Sequence, residues 1–213
     1  MSRFHYRAGV AAALAAGLLL AGCAHDRTHF YTLLPPPHQT ASSAGGGDYA
    51  IDVQRVNIPP QVDQPELIVR QGSGELALVE TRRWIGPLAD EVRGALSSAL
   101  TQQLGVQDVS GVAPPDAPVY RVLVDVRRFE GWLAHDVTVD AVWTVTELGA
   151  KAADGKPRSW TCSTMSKQAV APGYAAYVSG AQQGVTAVAT QIGALIRAAQ
   201  QAPSASAIAC PAA

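Results

Sequence analysis

The chain has 213 residues, of which 48% are hydrophobic. The 191 residues that follow the first 22 are enough for one domain with a substantial core. Its 16 Lys and Arg residues include Arg3 and Arg7, the basic residues before Cys23, so the chain from Cys23 onward has 14 basic against 17 acidic residues and a formal charge of −3. This balance argues against nucleic acid as a partner and against a polybasic contact with anionic lipid.

Residues 1–22 have the features of an export signal. Two arginines precede an uncharged apolar run from Ala8 to Leu20, which is shorter than the roughly 20 residues of a membrane-spanning helix and typical of a signal-peptide core. The run ends in Leu20-Ala21-Gly22-Cys23, which resembles the lipobox read by lipoprotein signal peptidase. We expect cleavage before Cys23 and lipid on its thiol. The alternative is an ordinary secretory signal with an incidental cysteine.

The organisation expected after cleavage is a lipidated tether over 23–29, a domain over 30–202 and a C-terminal tail over 203–213. About seven extended residues reach at most roughly 25 Å, so we expect the domain to lie close to the bilayer. Ala24 stands where lipoproteins kept at the inner membrane usually carry Asp. By analogy with known sorting rules, we expect anchoring in the outer membrane, facing the periplasm.

Short apolar runs at the start of the domain predict strands, and the last two predict a hairpin around Gly72-Ser73-Gly74. The runs are Phe30 to Leu33, Ile51 to Val56 (which ends before Pro59-Pro60), Leu67 to Val69 and Leu76 to Val79. A helix follows, with Pro87 in its first turn and Gly105 as its stop. Its leucines and valine recur every four positions and mark a buried face: Leu88, Val92, Leu96, Leu100 and Leu104.

The second half of the domain alternates between apolar and polar residues, which predicts two half-buried strands. Their apolar positions are Tyr120, Val122, Val124 and Val126, then Val137, Val139, Ala141, Trp143 and Val145. Asp154-Gly155 predicts a turn before a third strand from Ser159 to Ser166, and a last helix is predicted from about Tyr174 to Ala199. Together these elements predict an α+β fold, a mostly antiparallel sheet with two main helices packed on it.

Two cysteines, Cys162 and Cys210, remain once Cys23 carries lipid. In the oxidising periplasm an isolated pair is most simply a disulfide. The bridge would pin the Pro- and Ala-rich tail to the strand that holds Cys162. Two free thiols are the alternative.

Motifs for catalysis, metal binding and nucleotide binding are absent from the sequence. It has no Gly-x-x-x-x-Gly-Lys phosphate loop, no His-Glu-x-x-His or clustered Cys/His zinc set and no Gly-x-Ser-x-Gly elbow. His135 is a candidate base, but the adjacent Asp136 would point to the opposite face of a strand. We therefore expect no catalytic residues, no metal and no cofactor.

A series of short motifs follows the lipobox in a defined order. They are Phe30-Tyr31-Thr32-Leu33, Val56-Asn57-Ile58-Pro59, Asp63 to Arg70, Trp84-Ile85-Gly86-Pro87-Leu88, Gln102-Gln103-Leu104 and Phe129-Glu130-Gly131. In this order and spacing they resemble the ABC-type transport auxiliary lipoprotein family, the PqiC-type proteins, over roughly Phe30 to Arg197. Gln61, where relatives often carry an aromatic residue, and the pair Cys162 and Cys210 depart from the family pattern.

The resemblance implies a function that the residues alone do not supply. Such lipoproteins work with an ABC transporter and a periplasmic MCE-domain protein, in systems thought to move lipids between the inner and outer membranes. This chain would be a non-catalytic subunit that docks the MCE component at the outer membrane, and a homo-oligomer would suit a ring-forming partner. An independent lipid-binding carrier and an envelope hydrolase are the alternatives.

Four residues are the predicted partner contacts: Trp132, Trp84, Arg82 and Arg83. Exposed aromatic residues beside arginine are typical interface anchors. Each tryptophan also has a structural alternative. Trp84 would be a hydrophobic staple over the helix N-terminus, and Trp132 would cap the sheet.

Overall fold

The computed structural model describes residues 27–35, 48–111, 117–151, 155, 157–202 and 208–211. The predicted signal peptide, Cys23, Ala24 and the turn residue Asp154 lie outside these ranges. The strands within them are β1 (His29–Tyr31), β2 (Ala50–Val53), β3 (Glu66–Arg70), β4 (Leu76–Trp84), β5 (Val119–Trp132), β6 (Asp136–Lys151) and β7 (Pro157–Ala169). The helices are α1 (Leu88–Leu104) and α2 (Tyr174–Gln201).

The strands form one mixed sheet in the order β1-β4-β3-β5-β6-β7, and β2 pairs with β5 beside this path. The β3–β4 hairpin and the long β5–β6 and β6–β7 ladders are antiparallel. The pairs β1–β4, β2–β5 and β3–β5 are parallel. Helix α2 packs on β6 and β7 and against α1. The predicted α+β fold with a mostly antiparallel sheet is therefore confirmed.

The alternation of the central strands follows the pleat of the sheet. On β6, every second residue from Val137 to Val145 is buried, and Ile192 of α2 lies in the same core. The opposite face carries polar pairs such as Thr144 and Thr161, whose hydroxyls are 2.9 Å apart and exposed. Helices therefore cover one face of the sheet, and this explains the period of two in the sequence.

Helix α1 begins and ends where the sequence predicts. Pro87 precedes its first residue, and Gly105 follows its last with a φ of 66°, a left-handed conformation that favours glycine. Glu91 in the first turn is buried and accepts hydrogen bonds from the Thr32 hydroxyl (2.7 Å) and the Leu33 amide (2.8 Å). This carboxylate fastens the segment after β1 to the helix.

Helix α2 lies very close to the sheet because glycines face it. A Cβ atom on Gly184 would lie 2.6 Å from Val139 Cγ2, and a Cβ atom on Gly180 would lie 2.4 Å from Val170 Cγ1. Only glycine permits such an approach. Neither helix in the described part of the chain has the length and apolar character needed to cross a membrane.

Strands β2 and β4 end at other residues than the sequence predicts. The second strand ends at Val53, not Val56, because the chain leaves the ladder and returns at Asn57, whose amide donates to the Val124 carbonyl (3.0 Å). Strand β4 continues beyond Val79 to Trp84, since β1 pairs with its last three residues. The extra length comes from a partner distant in sequence, which local periodicity does not reveal.

Cys162 on β7 and Cys210 in the tail form a disulfide, with their Cα atoms 5.7 Å apart. Ile208, two residues before Cys210, packs against the core. The described part of the tail is therefore held to β7, the strand at one end of the sheet order.

Replacing Cys210 with serine is expected to lower the free energy of unfolding by about 2–4 kcal/mol, because the unfolded chain loses a covalent loop. The two cysteines are 48 positions apart. Urea denaturation followed by circular dichroism measures the loss, and the double variant Cys162→Ser, Cys210→Ser is the control that should match it. An intact mass that does not change on reduction would contradict the bridge.

Candidate functional site

An open groove of roughly 700 Å³ lies at the end of the sheet where the β3–β4 and β5–β6 turns come together. Its walls come from β3, β4, the β5–β6 turn and the first residue of α2. We call it the β4 groove; its lining residues are Val69, Arg70, Gln71, Ala77, Leu78, Val79, Glu80, Thr81, Trp132, Leu133 and Tyr174. The predicted contact residue Trp132 is therefore part of this groove.

Trp132 is the last residue of β5 and is 40% exposed. Its ring lies 4.6 Å from the His135 ring, and the His135 amide donates to the Trp132 carbonyl (3.0 Å). Ala134 between them has a φ of 62°, which is uncommon for a residue with a side chain and marks a tight turn. The β5–β6 turn therefore holds the partly exposed indole of Trp132 against the His135 ring.

The support beneath Trp132 is buried and polar. Gly131 lies against the Tyr177 ring, and the Tyr177 hydroxyl donates to the Ile68 carbonyl (2.9 Å), which joins α2 to β3. Burial, and secondarily the charge of Glu130, raises the pKa of Tyr177. This hydroxyl therefore stays protonated and keeps donating to β3.

Strand β4, which contributes residues to the groove, also has a free edge. β3 pairs with one side of β4, whereas β1 covers the other side only at positions 82–84. From Leu76 to Thr81, no strand of the described chain pairs with that side. Leu76 and Leu78 are exposed on this stretch. Such an edge is a surface to which an extended segment of a partner can add as a further strand.

Two arginines at the groove have defined partners. Arg70 donates to Glu130 at 2.5 Å, and both side chains are partly buried. The Arg82 guanidinium lies 5.2 Å from the centre of the Tyr174 ring, a cation–π distance, and donates to the Thr81 carbonyl. Arg82 therefore borders the groove.

Two predicted contact residues lie away from the groove lining. Arg83 forms an ion pair with Glu66, and neither residue lines the groove. Trp84 is 3% exposed, and its ring packs edge-to-face against Phe129 with centroids 6.1 Å apart. Trp84 is a core residue of β4, which agrees with the structural alternative given for it and not with an exposed partner contact. A tryptophan next to two arginines signalled exposure, but strand alternation turns it inward.

The side chains of His135 and Asp136 contact different partners. The Asp136 carboxylate lies 3.2 Å from Lys167 Nζ, whereas the His135 ring packs on Trp132. Among the residues that the structure describes, no three His, Cys, Asp or Glu side chains are grouped to hold a metal ion.

The space between the helices and the sheet bears on the lipid-carrier alternative. A cavity there is lined entirely by apolar residues and measures about 10 Å³. Ligand pockets usually enclose about 300–1,000 Å³. This cavity is too small for an acyl chain, which disfavours a carrier that encloses lipid at this position.

Sequence reasoning found Trp132 but missed Leu78, Leu133 and Tyr174. The exposed Leu78 sits in the run Leu76 to Val79, which reads as an ordinary strand. Tyr174 is the first residue of a helix nearly a hundred positions further along the chain. The sequence did contain one signal for this site. Apolar residues occur on both faces of β4, whereas a strand with a single buried face needs them on only one.

Comparisons with solved structures show the same fold. An uncharacterized protein is 17% identical with a TM-score of 0.62, and the match covers 80% of this chain and 99% of that chain. A Xanthomonas campestris protein assigned to the family DUF330 is 18% identical with a TM-score of 0.57, covering 82% and 99%. No curated protein matches the sequence.

The sequence also matches a family model, described as the ABC-type transport auxiliary lipoprotein component, over residues 31–193. This range runs from the last residue of β1 into α2 and includes strands β2 to β7 in full. The chain therefore belongs to the family of ABC-type transport auxiliary lipoproteins.

Proposed function

We propose that this protein is a non-catalytic subunit of an intermembrane lipid transport system, and that it docks the periplasmic MCE-domain component. The family is an auxiliary component of ABC-type transport. The observation that carries the docking role is Trp132, a tryptophan 40% exposed on a supported turn that lines the β4 groove. Tryptophan in such a position is typical of residues that dominate binding energy.

The shape of the β4 groove favours a protein segment as its occupant. The groove is open along β4, and its lining includes the exposed Leu78 and also Arg70, which pairs with Glu130. Backbone groups of the β4 edge supply hydrogen bonds, while Trp132 and Leu78 supply apolar contacts. This combination matches recognition of an extended segment, in which the main chain gives affinity and alternate side chains give specificity.

Trp132→Ala is expected to weaken binding of the lipidated protein to an MCE-domain partner by roughly 30-fold, since a tryptophan hot spot contributes about 2 kcal/mol or more. Binding is measured in detergent with both full-length proteins. Leu123→Ala is the matched control, because Leu123 is 44% exposed and lies outside the groove lining.

Equal affinities of the two variants would contradict the groove as the docking surface. Failure of the unmodified protein to capture any MCE-domain protein, even with mild crosslinking, would contradict the docking role itself.

We further propose that the protein is anchored in the outer membrane, facing the periplasm. Membership of a lipoprotein family supports a lipid anchor, and Ala24 lacks the carboxylate typical of inner-membrane retention.

Ala24→Asp is expected to move the protein from outer-membrane to inner-membrane fractions on a sucrose gradient. Ala24→Ser, which adds a small polar group without charge, is the control and should leave the distribution unchanged. Recovery of the unmodified protein in the inner membrane would contradict the proposed location.

A further inference from the structure

We propose that Phe30 and Ile85 seat the domain on the phospholipid bilayer that holds its lipid anchor. This inference rests on the predicted lipid at Cys23 and is independent of MCE docking. It adds a second contact with the membrane, made by the folded domain itself.

The two side chains form one exposed apolar patch. Phe30 is 61% exposed and Ile85 is 68% exposed. Phe30 pairs with Arg83 in the parallel β1–β4 ladder, and the Ile85 amide donates to the Tyr31 carbonyl (2.8 Å), so the ladder continues to Ile85. Because alternate residues of paired strands share a side, Phe30 and Ile85 point the same way. Trp84, between them in the ladder, turns into the core.

The short tether places the bilayer near this patch. Six residues separate Cys23 from Phe30, so the lipid-bearing sulphur lies within roughly 25 Å of the patch even when the tether is fully extended. A domain of this size has a radius of gyration of about 16 Å. In the sheet order β7 lies five strands from β1, which is roughly 24 Å at the usual strand spacing. The anchor therefore favours the β1–β4 edge, not the β7 edge, as the side that meets the membrane.

Arginines next to the patch suit lipid headgroups. Arg27 is exposed two residues before β1. Arg83, the ladder partner of Phe30, lies on the same side of the sheet as the patch and pairs with Glu66. Guanidinium groups bind phosphate well, and their aliphatic stems lie comfortably along apolar surface. An apolar tip with basic residues beside it is the usual chemistry of a domain that rests in the headgroup region.

A lipid anchor alone leaves the domain free to rotate above the bilayer. Two apolar side chains that enter the interface limit this rotation, so they set the direction in which the β4 groove opens. The patch thus contributes orientation, while the acyl chains contribute attachment.

The test uses the full lipidated protein in vesicles of phosphatidylethanolamine and phosphatidylglycerol that also contain phosphatidylcholine brominated near the headgroup. Bromine quenches tryptophan at short range. Ile85→Trp places a reporter in the patch, and Phe30→Trp is a second reporter. Met165→Trp is the matched control, because Met165 is 66% exposed and lies on β7.

We expect the added emission of Ile85→Trp and Phe30→Trp, relative to the wild-type protein, to be quenched by these lipids. Lipids brominated near the chain ends should quench less, because the contact is shallow. The added emission of Met165→Trp should not change. Equal quenching of Ile85→Trp and Met165→Trp would overturn the proposal. An unquenched Ile85→Trp that is shielded from aqueous acrylamide would also overturn it, since a second copy or another protein would then cover the patch.

Discussion

Trp84→Ala is expected to lower the free energy of unfolding by about 3–5 kcal/mol, the usual cost of removing a buried tryptophan. The side chain is 3% exposed and packs against Phe129, so the variant would leave a cavity in the core beside Phe129. Urea denaturation followed by far-ultraviolet circular dichroism measures the loss without depending on tryptophan fluorescence.

Trp132→Ala is the matched control for this prediction, since it removes the same side chain from the groove surface. It should cost less than about 1 kcal/mol, because its indole is partly solvated and leaves no closed cavity. The two tryptophans would then separate by function, one stabilising the fold and the other binding the partner. Similar losses of stability in both variants would contradict the placement of Trp84 in the core.

Gly131→Ala is the second change with a large expected effect, a loss of about 2–5 kcal/mol. A Cβ atom at this position would lie 2.5 Å from Tyr177 Cε2 and 2.7 Å from Val137 Cγ2. The Tyr177 ring would have to move, which would break its hydrogen bond to the Ile68 carbonyl. Overpacking and an unsatisfied buried carbonyl therefore act together.

Thermal unfolding of the Gly131→Ala variant measures this loss. Gly72→Ala, in the β3–β4 turn, is the control, because a Cβ atom there has no neighbour within 4 Å. It should leave the melting temperature nearly unchanged. We also expect Gly131→Ala to weaken partner binding, since the Tyr177 contact supports the turn that presents Trp132. A Gly131→Ala variant as stable as the wild type would show that the ring can shift without cost.

The same glycine gives a physical reason for one motif of the family resemblance. Phe129-Glu130-Gly131 combines three functions at the end of β5: Phe129 packs against Trp84, Glu130 pairs with Arg70, and Gly131 makes room for Tyr177. In the sequence alone, these residues indicate only the transition from one strand to the next. Their separate partners lie on β4, β3 and α2, which only the folded chain brings together.

Elements with a strong local period were predicted well. Helix α1 between Pro87 and Gly105 and helix α2 from Tyr174 agree with the structure, as do the three long central strands. In each case the period of 3.6 or 2 extends over many residues, so the pattern depends little on distant neighbours. The short strands β1 and β2 were less well placed, because each is held by a parallel partner far along the chain.

The candidate site was predicted in part. Trp132 was identified from its composition and its place near a strand turn, and it lines the groove. Trp84 was identified by the same reasoning and is buried. For Trp84 the register that turns the side chain inward comes from pairing with β1 and β3, whereas Trp132 pairs with Asp136 of β6 at the turn.

The amino-acid sequence by itself determined the helices, the long antiparallel strands, the α+β class and the family resemblance, because these depend on local periodicity and on short motifs in a fixed order. The tertiary structure decided which apolar residues stay exposed: Trp132 and Leu78 at the groove, and Phe30 and Ile85 beside the tether. The physical reason is that exposure depends on what packs across the chain. An apolar side chain is buried only where a distant segment covers it, and in the described chain these four side chains remain largely exposed.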